Sequence, residues 1–331
     1  MVLTALFVIL TIVSTVSASA QMSQRAAEIW SGDSGRKYSQ VSVFFTEDAK
    51  FSSQQIRSVR TAIEKGFSTL PSEYLGEGEQ SVEREDIWLD AYSAEFPLTA
   101  DTDKKSVNVA AAAVGGEFFF FRQFKFLFGS GFVDNDLFFD KVVLDTDAAW
   151  QLFGSSNVVG LTVKIAGYPF VVSGVVDKNE ADISKELYGL TPRVYIPMTA
   201  YSKYIIQDDN VYLSSYEAII PNPIADYAYA SVKENVSVSE DSRVIIDNTA
   251  RFKIPALWGT FKSLATRSAR TNQISYPFWE NAAAVKTDSL AGLMVARLTC
   301  ITVVILTALT YVTLGLLKLA SKIKRKKYRY L

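Results

Sequence analysis

Three aspartates, Asp134, Asp136 and Asp140, are spaced as oxygen donors around a divalent cation would be. Leu137, Phe138 and Phe139 interrupt the run, and no glycine stands where a calcium loop makes its sharp turn, so no metal site is expected there. The chain has no histidine. That removes Ser-His-Asp triads, histidine-zinc centres and imidazole acid–base chemistry together. Its one cysteine, Cys300, lies in an apolar run, which excludes an intramolecular disulfide and a cysteine-based metal centre. Neither GxSxG nor HExxH occurs, and there is no GxxxxGK[ST] phosphate loop. The glycines of "SEYLGEGEQSVERED" make no phosphate cradle, because no strand feeds into them and no helix follows. With 35 Asp and Glu residues some carboxylates pair by chance, which leaves a carboxylate-pair surface hydrolase open on composition. The reading is a non-enzyme with no catalytic, cofactor-binding or metal-ligating residues.

A net charge of −1 argues against nucleic acid, which needs a concentrated basic face. The dense basic cluster sits at the end. Leu298 to Leu317 carries no charge and is bracketed by Arg297 and Lys318, and twenty helical residues rise about 30 Å, the thickness of the hydrocarbon core. Seven Lys and Arg follow from Lys318 to Arg329. By the positive-inside bias this tail is cytoplasmic and the preceding domain is outside. Lys322, Lys324, Arg325, Lys326, Lys327 and Arg329 read as a stop-transfer anchor, each drawn to anionic membrane lipid by about 1 kcal/mol. The N-terminus is apolar from Val2 to Val16, and Ala18-Ser19-Ala20 resembles a cleavage site, so this segment is a first anchor or a signal peptide. Either places Gln21 onward outside. The expected layout in the plasma membrane is 1–20 anchor or signal peptide, 21–289 extracytoplasmic domain, 290–318 transmembrane helix and 319–331 basic cytoplasmic tail.

Within that domain "YSQVSVFF" alternates, with Val41, Val43 and Phe45 on one face of a strand. "FSSQQIRSVRTAIEKGFSTL" places Ile56, Val59, Ile63, Phe67 and Leu70 on one helical stripe, opened by a Ser52–Gln55 capping box and followed by Pro71. "EDIWLDAYSAEFPL" returns as a strand, and such a strand–helix–strand crossover favours parallel pairing. The aromatic run of "SVNVAAAAVGGEFFFFRQFKFLFGSGF" reads as packed core faces. "TPRVYIPMTAY" is a strand, and "YEAIIPNPIADYAYASVKENV" with "SRVIIDNTARF" repeats the order strand, turn, helix, strand. The stretch from Ile254 to Leu293 is mostly helical and leads into the membrane segment.

Between these lies "VVLDTDAAWQLFGSSNVVGLTVKIAGYPFVVSGVV". It reads as a strand at Lys141–Leu144, a helix at Asp147–Phe153 capped by Asp145 or Thr146, and Gly154 in the left-handed conformation ending it. A turn at Gly160 and a hairpin turn at Ala166-Gly167-Tyr168-Pro169 follow. None of these residue types forms a prepared nucleophile.

The order Gly129-Ser130-Gly131-Phe132, Ala149 through Gly154, Gly160, Gly167, Val172-Ser173-Gly174-Val175 and then "RVYIP" resembles the periplasmic core domain of MacB-type, FtsX-like ABC transporter permeases. The similarity covers roughly residues 125 to 200; the arginine of that family's first motif is replaced here. The resemblance implies an α+β fold, with extracytoplasmic porter-like strand–helix–strand units and a smaller mixed α/β lobe flanked by transmembrane helices. It also implies a separate ABC ATPase and a permease subunit as partners, since the sequence ends after what corresponds to the family's second membrane helix. The functional expectation is a non-catalytic membrane subunit of an ABC-type export or mechanotransmission complex. The alternative is a membrane-anchored sensor or ligand-binding ectodomain.

Overall fold

The computed structural model describes residues 2–19, 22–71, 74, 87–133, 140–178, 191–264 and 274–327. Asp134, Asp136, the acidic stretch apart from Tyr74, and Arg329 lie outside the described residues. The chain divides into two units: Gln21–Arg251 with Ser268–Val285, and Met1–Ala20 with Phe252–Arg267 and Lys286–Leu331.

In the first unit, strand β1 (Tyr38–Phe45) is buried along its whole length. Gln40 on one face accepts from the Ala26 amide of helix α2 (Ala26–Ser31), at 3.1 Å. Phe45 on the other stacks on Phe51 at 4.6 Å, just ahead of helix α3 (Ser53–Gly66). Two covered faces explain why polar Ser39, Gln40 and Ser42 are as buried as Val41 and Val43. The Ser52–Gln55 capping box forms, and Ile56, Val59 and Ile63 of α3 are each no more than 3% exposed.

Strand β2 (Leu89–Asp101) follows α3 but does not pair with β1. Strand β9 (Ser215–Pro221) lies between them, antiparallel to both. β1 and β2 therefore run parallel with a gap of one strand, which corrects the expected parallel pairing. β9 in turn is followed by a helix (Tyr227–Asn235) and by β10 (Arg243–Asp247), which pairs antiparallel on the far side of β1. Two split β–α–β units thus interlock, each lending a strand to the other's gap in the order β10-β1-β9-β2. The slot is filled by an antiparallel neighbour, whose perpendicular hydrogen bonds are slightly the better ones.

β2 continues through a hairpin into β3 (Ser106–Gly116). Next come helix α4 (Phe118–Arg122), β4 (Phe126–Gly129), β5 (Lys141–Asp145) and helix α5 (Thr146–Phe153). β6 (Thr162–Ile165), β7 (Tyr168–Val176) and β8 (Arg193–Pro197) complete the lobe, with a helical turn α6 (Met198–Ala200) that continues as a π-helix over Tyr201–Ile206. β3 pairs with β8, β8 with β5, β5 with β7, β7 with β6, and β6 back with β2. These pairings close a ring of six strands, and closure removes open strand edges. Val163, Ile165, Phe170 and Leu144 are fully buried in it. Asp145 is the cap of α5, accepting from the Ala148 amide at 2.7 Å, and Gly154 ends that helix at φ 76°. Most of the aromatic run packs as core, with Phe119 meeting Phe132 at 5.0 Å and Phe124 meeting Tyr195 at 5.2 Å, while Leu127 and Phe128 of β4 are exposed.

With the helix Tyr227–Asn235 designated α7, the second unit holds α1 (Val2–Ser19), α8 (Ile254–Leu264) and the greater part of α9 (Phe278–Lys327). α9 is the one helix among the described residues long and apolar enough to cross a membrane. The apolar stretch of α1, Leu6–Val16, is shorter.

Candidate functional site

Helix α4 is only five residues long, so Arg122 sits one turn from Phe118 and follows that ring inward. Its side chain is fully buried. The guanidinium lies 4.4 Å from the ring centroid of Trp279 and 5.6 Å from that of Phe118, and it pairs with Glu217 of β9. Burial pushes Arg122 down to about 9, against the pull of Tyr195, Glu280 and Glu95, so it keeps its charge at neutral pH.

From Glu217 the polar contacts run on without a break. Ser42 Oγ donates to Glu217 Oε1 at 2.8 Å, and Asn248 Nδ2 donates to Ser42 Oγ at 2.6 Å. Arg251 Nη1 donates to Asn248 Oδ1 at 3.1 Å. The same guanidinium takes Glu280 with both terminal nitrogens, at 2.7 and 2.6 Å. Glu280 lies in the first turn of α9 and is 1% exposed. Two further contacts hold that turn: Arg193 lies 4.7 Å over the Phe278 ring, and Gln24 Nε2 reaches the Trp279 carbonyl at 3.5 Å. Arg193 also pairs with Glu95, whose carboxyl is raised by burial and drawn back down by that arginine. The arrangement is a buried charged clamp between the sheet and the start of α9, and breaking any pair in it would strand a buried charge.

A separate polar cleft of about 1040 Å³ is lined by Gln54, Tyr168, Thr199, Ser202, Lys203, Gln207, Asp208 and Asp209. It borders the π-helical turn, where Tyr204 stacks on Tyr168 at 5.1 Å. Its lining offers hydroxyl, amide and carboxylate groups for hydrogen bonding, and Ser202 Oγ is already donating to the Asp208 carbonyl at 2.8 Å. Among the described residues no group of three His, Cys, Asp or Glu gathers as metal ligands. Asp140 is half-buried beside β5, and Cys300 is buried in α9.

The sequence reading named none of the clamp residues. The signal was present in a plain form: Arg122 closes a run of four phenylalanines, Glu217 is the single charge in "YEAIIP", and Glu280 stands in "YPFWENAAA". A lone charge in an apolar run is rarely buried without a partner.

Residues 2–245 match the MacB-like periplasmic core domain family. Among solved structures, the extracellular domain of the noncanonic ABC-type transporter YknZ from Gram-positive bacteria is 14% identical. That match covers 63% of this chain and 100% of that one, with a TM-score of 0.41. The periplasmic region of MacB from Actinobacillus actinomycetemcomitans is 16% identical over 70% of this chain and 94% of that one, with a TM-score of 0.44. No curated protein matches. The chain belongs to the MacB-like periplasmic core domain family, an α+β, non-catalytic, extracytoplasmic component of ABC transporter permease-like membrane proteins that act with an ATPase.

Proposed function

We propose that this family member is a non-catalytic membrane subunit of an ABC-type export or mechanotransmission complex, partnered by a separate ATPase and a permease subunit. Residues 21–289 face outside, residues 290–318 cross the membrane, and the basic tail 319–331 is cytoplasmic. The observation that supports this reading is the clamp: the first turn of the helix that carries the charge-free span is gripped by Arg251, Gln24 and Arg193 of the outer domain. Coupling between distant sites needs a physical element whose state both ends bias, and a helix anchored through buried charges meets that need. Purification of the full chain from its native membrane in mild detergent, followed by mass spectrometry, tests it. An ATPase carrying GxxxxGK[ST] and a second permease chain are expected to co-elute, and elution alone overturns the reading.

The polar cleft beside Tyr168 favours a second reading, a ligand-binding or sensor ectodomain. A saturable upward shift in melting temperature with a small polar ligand, lost in Gln207→Ala, would support it.

A further inference from the structure

Helix α8 has an apolar side that its own unit leaves open. At about 100° per residue, Ile254, Leu257, Trp258, Phe261 and Leu264 fall within an arc of about 120°, while Pro255, Ala256, Gly259, Thr260 and Ser263 take the rest. Only Leu257 is buried: it packs with Leu290, Ala291 and Met294 of α9. Ile254 is 67% exposed, Trp258 42%, Phe261 36% and Leu264 37%. Trp258 and Phe261 stack on each other at 5.9 Å, and Lys262 lies at the border of the arc with its Nζ 5.7 Å from the Trp258 ring. Lys253 adds a second exposed cation at the start of the helix.

The position of the packing partner decides what covers this side. Met294 precedes Leu298, where the charge-free span begins, by one helical turn, about 6 Å of rise. The polar layer on each side of a bilayer is about 5–8 Å deep. A helix packed on Leu290, Ala291 and Met294 is therefore held at the depth of that layer. Trp with Phe and Leu on one side and lysines at its border is the composition of an in-plane interfacial helix, since the rings take the apolar boundary while the ammonium groups reach the headgroups. We propose that α8 is an in-plane membrane-binding helix that seats Ile254, Trp258, Phe261 and Leu264 in the outer headgroup–acyl boundary, with Lys253 and Lys262 on anionic headgroups. This rests on α9 spanning the membrane.

The full chain with Cys300→Ala, spin-labelled in turn at Phe261→Cys, Ser263→Cys and Leu309→Cys, is reconstituted in vesicles of phosphatidylethanolamine and phosphatidylglycerol. Collision rates with oxygen and with a water-soluble nickel chelate are then measured. The Phe261 label is expected to favour oxygen over the chelate severalfold more than the Ser263 label, and the Leu309 label to favour oxygen most. A Phe261 label open to the chelate overturns the proposal, as does one shielded from both reagents, which would mean that a polypeptide covers the face. A Leu309 label open to the chelate would instead overturn the membrane reading of α9. Because the label replaces a ring, the unlabelled chain is compared with Trp258→Phe: the emission lost in the variant should be quenched more by lipid carrying a nitroxide near the headgroup than near the chain end. Equal or absent quenching also overturns the proposal.

Discussion

Arg251 grips Glu280 through two parallel hydrogen bonds, Nη1 to Oε2 at 2.7 Å and Nη2 to Oε1 at 2.6 Å, with 8% and 1% of the two side chains exposed. Bidentate geometry of this kind is specific to arginine, and a lysine cannot reproduce it. Removing one partner leaves the other charged and buried. Arg251→Met or Glu280→Met is expected to lower unfolding stability by about 3–5 kcal/mol, with the double variant recovering much of the loss. Urea unfolding of the detergent-solubilised chain, read as a double-mutant cycle, checks this. Additive single losses would mean that the pair is not coupled.

Asp145 gives the domain an acid-side signature. Its carboxylate accepts from the Ala148 amide at 2.7 Å and from the Arg193 amide at 2.9 Å, yet burial dominates and lifts it from 3.8 to about 6. The folded state therefore binds this proton more tightly than the unfolded chain. Its contribution to stability is full below about pH 4, falls as the pH rises from about 4 to about 6, and is gone above that, a swing of about 3 kcal/mol. Asp145→Asn cannot titrate. The stability of the wild type relative to this variant should drop between about pH 4 and about pH 7 by that order, measured from urea midpoints. A difference that stays constant with pH would show that the carboxyl titrates normally.

Gly129 at the end of β4 and Gly160 in the turn before β6 separate two causes of intolerance. Gly129 has φ +66° and pairs with Gly174, and a Cβ there would stand 2.0 Å from the Ser173 carbonyl oxygen. Gly160 has φ +83° with open space around it. Gly160→Ala should cost about 1–2 kcal/mol, the left-handed strain alone. Gly129→Ala should cost a further 1–3 kcal/mol, roughly, because backbone must also move. Equal melting temperatures for the two variants would rule out the close approach.

Local order was open to inspection in the sequence because it is written in periods and caps. The stripe Ile56, Val59, Ile63, the Ser52–Gln55 box, the Asp145 cap and the left-handed Gly154 each follow from residues within a few positions of one another. Partner choice is not written that way. Alternation along β1 says which residues share a face but not that β9, some 170 residues later, fills the slot beside it. The return of β6 to β2 is equally non-local, resting on Ala100↔Ile165 and Asp101↔Lys164. The clamp fell between the two: its lone charges were visible, but a burial pattern cannot tell which of many acidic residues meets Arg122.

The proposed direction of the chain through the membrane rests on charge. Leu298 to Leu317 has no Asp, Glu, Lys or Arg, and Lys318, Lys322, Lys324, Arg325, Lys326, Lys327 and Arg329 follow it closely. Lys/Arg bias near a span sets orientation, and each residue also gains about 1 kcal/mol at an anionic inner leaflet. Protease added to intact cells should therefore digest the domain of residues 21–289 and spare an epitope placed after Leu331. Replacing the six residues from Lys322 to Arg329 with Ser and Gln leaves Arg297 and Lys318 on opposite ends of the span and nearly erases the bias. Mixed orientation is expected for that variant, seen as partial loss of the epitope. Uniform protection would show that the folded outer domain, not the tail, fixes the topology. An epitope cleaved in the wild type beside an intact domain would reverse the orientation.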